Sequence, residues 1–120
     1  MNRYGFLIDP FARTITVEPY DGDYRAIHQY IEAECFDAAR LNREGDCVFV
    51  DDVGLLNEPE YFFRFDDRDP YAGKGFVLGT DDEGESISPT LTLDELKARV
   101  RFYQLVRIGN IVGLAEREAA

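Results

Sequence analysis

The residues of this 120-residue chain best suited to chemistry are one histidine, two cysteines, a Gly-Lys-Gly step and two runs of carboxylates. Nucleophilic catalysis needs a nucleophile and a base held together, as in Cys–His or Ser–His–Asp. His28 lies beside Gln29 in a stretch with helical periodicity, away in sequence from Cys35 and Cys47. It reads as a surface or boundary histidine, and the sequence leaves its distance from either cysteine in the fold open. Tetrahedral zinc would need four ligands drawn from two Cys, one His and a carboxylate without ligand-like spacing, so zinc is rejected. The cysteines have eleven residues between them, outside any Cys-x-x-Cys pattern. A disulfide stays open, but two small core residues in a reducing compartment is the plainer reading. No catalytic residue, metal ligand or cofactor is assigned.

Gly73-Lys74-Gly75 could suggest a phosphate loop, but that pattern needs glycine five residues before Gly73 and a hydroxyl straight after the lysine. Those positions hold Arg68 and Gly75, so both tests fail. Asp66-Asp67-Arg68-Asp69 and Asp81-Asp82-Glu83-Gly84-Glu85 resemble pieces of a calcium loop. Counted from Asp66, position six is Tyr71 and position twelve is Val77, where glycine and glutamate are required. The carboxylates are better read as solvated turns, or as an anionic face for a basic partner. Asp66, Asp67, Asp69, Asp81, Asp82, Glu83 and Glu85 would supply that face if the two loops lie side by side. The alternative site uses the 66–74 loop, with Tyr61, Phe63 and Lys74 around a small molecule or metal.

Charge supports the anionic reading. There are 13 basic and 24 acidic residues, a net −11, and the excess is concentrated in the middle third. Residues 51–91 carry 3 basic and 11 acidic side chains, whereas residues 92–120 carry 5 and 4. Such a surface repels phosphate backbones and favours basic partners, so direct nucleic-acid binding is not expected. Met1 to Pro10 has no signal-length apolar core and no run reaches a membrane helix, so a cytoplasmic protein without a membrane span is expected.

The elements that must position these residues follow from periodicity. Tyr4–Ile8 reads as a strand, paired through Pro10–Arg13 to Thr14–Glu18, with Ile15 and Val17 inward. Asp21-Gly22-Asp23 supplies a turn and helix cap, and Ile27, Tyr30 and Ile31 give a short amphipathic helix to about Ala33. Cys35–Leu41 and Asp46–Asp51 read as strands. Leu55–Phe65, broken by Pro59, is an edge strand or a helical turn. Phe76-Val77-Leu78 is a short apolar run between glycines, a buried strand, followed by a turn at Asp81–Gly84 and an extended piece carrying Ile87 and Leu91. Thr92 with Glu95 is a capping box that starts a helix with Leu93, Leu96 and Val100 on one face. Val100–Ile108 suits a final strand better than continuation of that helix, and Ile111–Leu114 is an apolar segment able to dock on the body or on a partner.

Several of these stretches carry a resemblance. Leu7-Ile8-Asp9-Pro10, Gly22-Asp23-Tyr24, Phe36-Asp37-Ala38, Arg40-Leu41-Asn42 and Val50-Asp51-Asp52 with Gly54-Leu55-Leu56 are similar to a family of small domains of unknown function carried on phages, plasmids and other mobile elements. Gly73-Lys74-Gly75-Phe76-Val77-Leu78-Gly79-Thr80-Asp81, with Gly84 and Ser88-Pro89-Thr90, is the strongest part. The likeness spans most of residues 4–102 and leaves the tail uncovered. It transfers no catalytic residue; it implies an accessory gene product acting against or alongside a host system.

The expectation is therefore one α+β domain over residues 1–120, with 109–120 as a loosely packed tail. A mixed or antiparallel sheet of about five to six strands carries two helices on one face. In function it is a non-enzymatic acidic binding module engaging a protein partner, such as a basic nucleic-acid-handling or defence protein. The alternative is a small-molecule or metal-binding accessory domain. A homodimer through an exposed strand edge or Ile111–Leu114 is compatible with either.

Overall fold

Two antiparallel sheets, packed face to face, form the core of the computed structural model, which describes residues 3–120. The first hairpin joins β1 (Tyr4–Asp9) to β2 (Thr14–Pro19), with Tyr4 opposite Pro19 and Asp9 opposite Thr14. Its turn is fastened by Asp9, whose Oδ1 accepts from the amides of Phe11 and Ala12 at 2.9 and 3.2 Å. Helix α1 (Arg25–Ile31) follows, with the Asp23 carboxylate accepting from the Arg25 amide at 3.0 Å. The helix ends at Glu32, whose backbone is left-handed with φ 56°.

Strands β3 (Phe36–Arg40) and β4 (Cys47–Asp51) form the second hairpin. The ambiguous stretch after it holds both forms: a 3-10 turn at Gly54–Leu56, then β5 (Tyr61–Phe65). The expected 66–74 loop is interrupted by the two-residue β6 (Tyr71–Ala72). Next come β7 (Gly75–Thr80), β8 (Ser86–Ile87), helix α2 (Leu93–Arg99), β9 (Val100–Ile108) and β10 (Ile111–Arg117). The first sheet runs β2-β1-β7-β4-β3, with β8 added on β7; the second runs β10-β9-β5-β6. Every pairing among the described residues is antiparallel.

The apolar run at Phe76 is the central strand of the first sheet, and its alternation dictates the layers. Val77 turns inward with Phe6, Ile8, Val48 and Val50 to meet Phe63, Phe65, Val100 and Phe102 of the second sheet. Phe76 and Leu78 turn outward and are covered by Ile27 and Ile31 of α1. A strand apolar on both faces needs cover on both. Helix α2 closes the inter-sheet side, with Leu96 in the same cluster as Val77. The two helices therefore belong to opposite sides of the first sheet, where the sequence suggested one shared face. The domain is α+β, with a second, four-stranded sheet in addition to the expected one.

Three local expectations are corrected. Val17 lies on the inward side opposite Phe6, but β2 is an edge strand and Val17 stays 52% exposed. Val100 is buried as expected and begins the expected Val100–Ile108 strand rather than continuing the helical face of Leu93 and Leu96: its φ of −101° and ψ of 135° are extended, and it pairs with Phe65 of β5. The two cysteines are free, Cys35 exposed and Cys47 half-buried. The capping box forms as read, Thr92 Oγ1 accepting from the Glu95 amide at 3.1 Å and Glu95 accepting from the Thr92 amide at 2.8 Å. The tail pairs as β10 along β9, and beyond it the Ala120 amide donates to the Arg13 carbonyl at 2.9 Å. No helix among the described residues is long and apolar enough to cross a membrane.

Candidate functional site

The acidic residues fall on two loops that flank the turn between β3 and β4, and each loop has part of its charge engaged within the domain. Asp81 is turned back into its own reversal, where its Oδ1 accepts from the amides of Glu83 and Glu85, both at 2.9 Å. Asp66 forms an ion pair with Arg99 at 2.9 Å. Beside Asp66, which is itself exposed, the exposed carboxylates of the two loops are Asp67, Asp69, Asp82, Glu83 and Glu85. Arginines sit among them: Arg40 and Arg43 border the concavity next to Asp81 and Asp82, and Arg68 donates to the Arg40 carbonyl at 2.7 Å. The loops thus share one end of the molecule, and their negative potential is interrupted by basic side chains.

His28 is a packing residue of the α1 terminus. Its Nδ1 lies 3.0 Å from the Ala33 carbonyl, which can only accept, so that nitrogen donates. Its ring packs against Phe36, with centroids 4.7 Å apart. Among the described residues no three His, Cys, Asp or Glu side chains converge as a metal ion would require.

Two of the three residues of the alternative site do meet. Tyr61 and Lys74 line a cleft of about 250 Å³ where the end of α1, the β1–β2 turn, the end of β4 and the start of β5 converge. Phe63 does not reach it. Tyr61 and Phe63 share a strand face, but Phe63 lies two residues deeper, fully buried and packed on Tyr71 with ring centroids 5.5 Å apart. The cleft adds residues that local sequence did not single out: Phe11, Glu32, Asp51 and Glu60. The one local hint was Phe11, a large aromatic in the polar turn after Asp9-Pro10. The others arrive from separate elements through tertiary packing.

Lys74 is held rather than free. Its ammonium is bonded to the Glu32 carboxylate and lies 3.9 Å from Asp9, and its side chain is 21% exposed. The hydrogen bond to Glu32 pushes its pKa above the ordinary lysine value, against the opposing effect of burial, with Asp9 adding to the rise. Lys74 is thus a fixed cation and no candidate for a neutral nucleophile or base. On the opposite wall, the Phe11 and Tyr61 rings stand 4.9 Å apart with planes inclined at 48°.

Fold and site together define a small antiparallel α+β domain with a charged, aromatic-walled cleft at one end of its inter-sheet seam. The chain belongs to the family described as Domain of unknown function (DUF3846), whose model matches residues 1–101. The matched stretch ends at the second residue of β9, so most of the β9–β10 ribbon lies beyond it. No curated protein and no solved structure matches the chain.

Proposed function

We propose that the chain is a non-enzymatic binding module whose partner is a protein, gripped by the β9–β10 ribbon and selected by the acidic surface. The observation that carries this reading is the run of the second sheet's inner face past the end of the core. Val100 and Phe102 on that face are buried, whereas Val106, Ile108 and Ile111 continue it into solvent, Ile108 at 75% and Ile111 at 73% exposure. On the other face, Leu105 and Arg107 border a concavity with Leu55, itself exposed on the 3-10 turn. Contiguous apolar surface of this kind marks interaction sites.

The net charge of −11 and the exposed Asp67, Asp69, Asp82, Glu83 and Glu85 favour a basic partner and speed encounter with it. The resemblance to mobile-element proteins supplies the setting: an accessory product acting in the cytoplasm on a nucleic-acid-handling or defence protein.

The test is affinity capture followed by quantitative binding of the purified partner, comparing wild type, Ile108→Asp with Ile111→Asp, and a Glu83→Lys with Glu85→Lys variant. Loss of affinity with the ribbon variant, and a slower, less salt-sensitive association with the charge variant, support the reading. A partner bound equally by the ribbon variant overturns it. Light scattering on the same proteins identifies a second copy as the occupant if a dimer forms and the ribbon variant dissolves it.

A further inference from the structure

The cleft beside Lys74 shares Pro59 and Glu60 with the concavity next to Leu105 and Arg107, but Ile108 and Ile111 do not line it, and its walls specify a ligand chemistry. Three acidic residues from three separate segments, Glu32, Asp51 and Glu60, line one volume with Phe11 and Tyr61; Asp51 also accepts from the Val53 amide at 3.0 Å. The lysine in that volume is already neutralised by Glu32 and Asp9. Asp51 and Glu60 therefore leave the cleft with net negative charge, beside an aromatic pair. Phe11 is 55% exposed yet rests against Tyr61, so its ring forms a wall of the opening rather than part of the core.

From these walls we infer that the cleft binds an organic cation, an alkylammonium or alkylguanidinium group lying against Phe11 and Tyr61 with Asp51 and Glu60 as its counter-charges. Aromatic faces attract cations through their quadrupoles, and the attraction grows when the site is desolvated. An anionic ligand meets three carboxylates and a lysine with no charge to spare. A bare divalent ion would need oxygen ligands at about 2.0–2.6 Å on a common centre, and no such convergence exists among the described residues. Size narrows the class further. At about 250 Å³ the cleft falls just below the range usual for drug-sized ligands, so it suits a short amine or a single side chain rather than a nucleotide.

The test is a titration of the isotopically labelled full chain followed by amide chemical shifts, with agmatine, a Gly-Arg-Gly peptide and citrate as probes. Saturable shifts at Phe11, Glu32, Tyr61 and Lys74 with a cation, and none with citrate, are expected. Agmatine alone saturating identifies a free amine as the source; the peptide binding more tightly identifies a partner's basic side chain. Phe11→Ala and Tyr61→Ala should each weaken cation binding roughly fivefold, with folding checked by thermal melting, and Glu60→Gln should reduce its salt dependence. The Ile108→Asp ribbon variant should bind the cations unchanged, which separates this inference from the partner reading. Failure of both cations to give localised saturable shifts overturns it. So does tighter binding of citrate at the same amides, or cation binding indifferent to Phe11→Ala and Tyr61→Ala.

Discussion

Asp46 and Thr90 are 44 residues apart in sequence, yet the Asp46 carboxylate accepts from both the amide and the hydroxyl of Thr90, at 2.8 and 2.7 Å. The same carboxylate accepts from the Leu91 amide at 3.0 Å and from Asn42 Nδ2 at 2.8 Å. Asp46 is fully buried and precedes β4, so this one side chain ties the β3–β4 turn to the segment that leads into α2. A buried charge is tolerated where its lone pairs are met by donors. Asp46→Ala strands those donors, and a loss of about 3 kcal/mol in chemical denaturation is expected. Asp46→Asn, which keeps the shape but places an amide against donors, should cost a similar amount.

Acid should find the same residue. Burial raises the Asp46 pKa, but the hydrogen bonds from Thr90, Asn42 and Leu91 outweigh it and hold the carboxyl below its ordinary value. A folded pKa below the unfolded one contributes stability that is present above the unfolded value, about 3.9, and is lost as pH falls through the folded value. Melting temperature should therefore drop below about pH 4 in the wild type. The drop should be shallower in Asp46→Asn, which has no carboxyl to protonate there. Parallel pH profiles for the two proteins would show that another group governs acid unfolding.

Gly75 of β7 faces Phe63 of β5 across the inter-sheet core. A Cβ at Gly75 would stand 2.5 Å from the Phe63 ring, closer than any real contact. Gly75→Ala should cost about 2 kcal/mol through overpacking. Phe63→Leu removes the obstructing ring, so in a double-mutant cycle the cost of Gly75→Ala should fall in that background. Additive costs would place the strain elsewhere.

Glu32 holds Lys74 from a left-handed backbone position, φ 56°. Comparing Glu32→Gly with Glu32→Ala cancels the lost ion pair and leaves the backbone. Glycine adopts this conformation freely and alanine does not, so Glu32→Gly should be the more stable by about 1 kcal/mol. Equal stabilities would mean that the helix end refolds around the substitution.

Much of the fold was legible because the signals are local. The capping box depends on Thr92 and Glu95, three residues apart, and both of its hydrogen bonds form. The run Phe76-Val77-Leu78 announced a buried strand because three consecutive apolar residues between glycines leave no polar face. Alternation over Thr14–Glu18 marked β2, and the Asp-Gly reversals act over two to four residues; the strand forms with Ile15 buried, although Val17 stays exposed. The β1–β2 hairpin could be read from the sequence, but only tertiary structure decided the longer-range neighbours: β7 sits between β1 and β4, and β5 between β9 and β6. It therefore also decided that α1 and α2 cover opposite sides. The site divides the same way. Tyr61 and Lys74 could be singled out by type, but Phe11, Glu32, Asp51 and Glu60 reach them from separate elements, and Phe63 is sealed beneath Gly75. Local sequence sets backbone preference and side-chain period. Which face is covered, and what meets across a cleft, is set by packing between segments distant in the chain, where burial energy outweighs local preference.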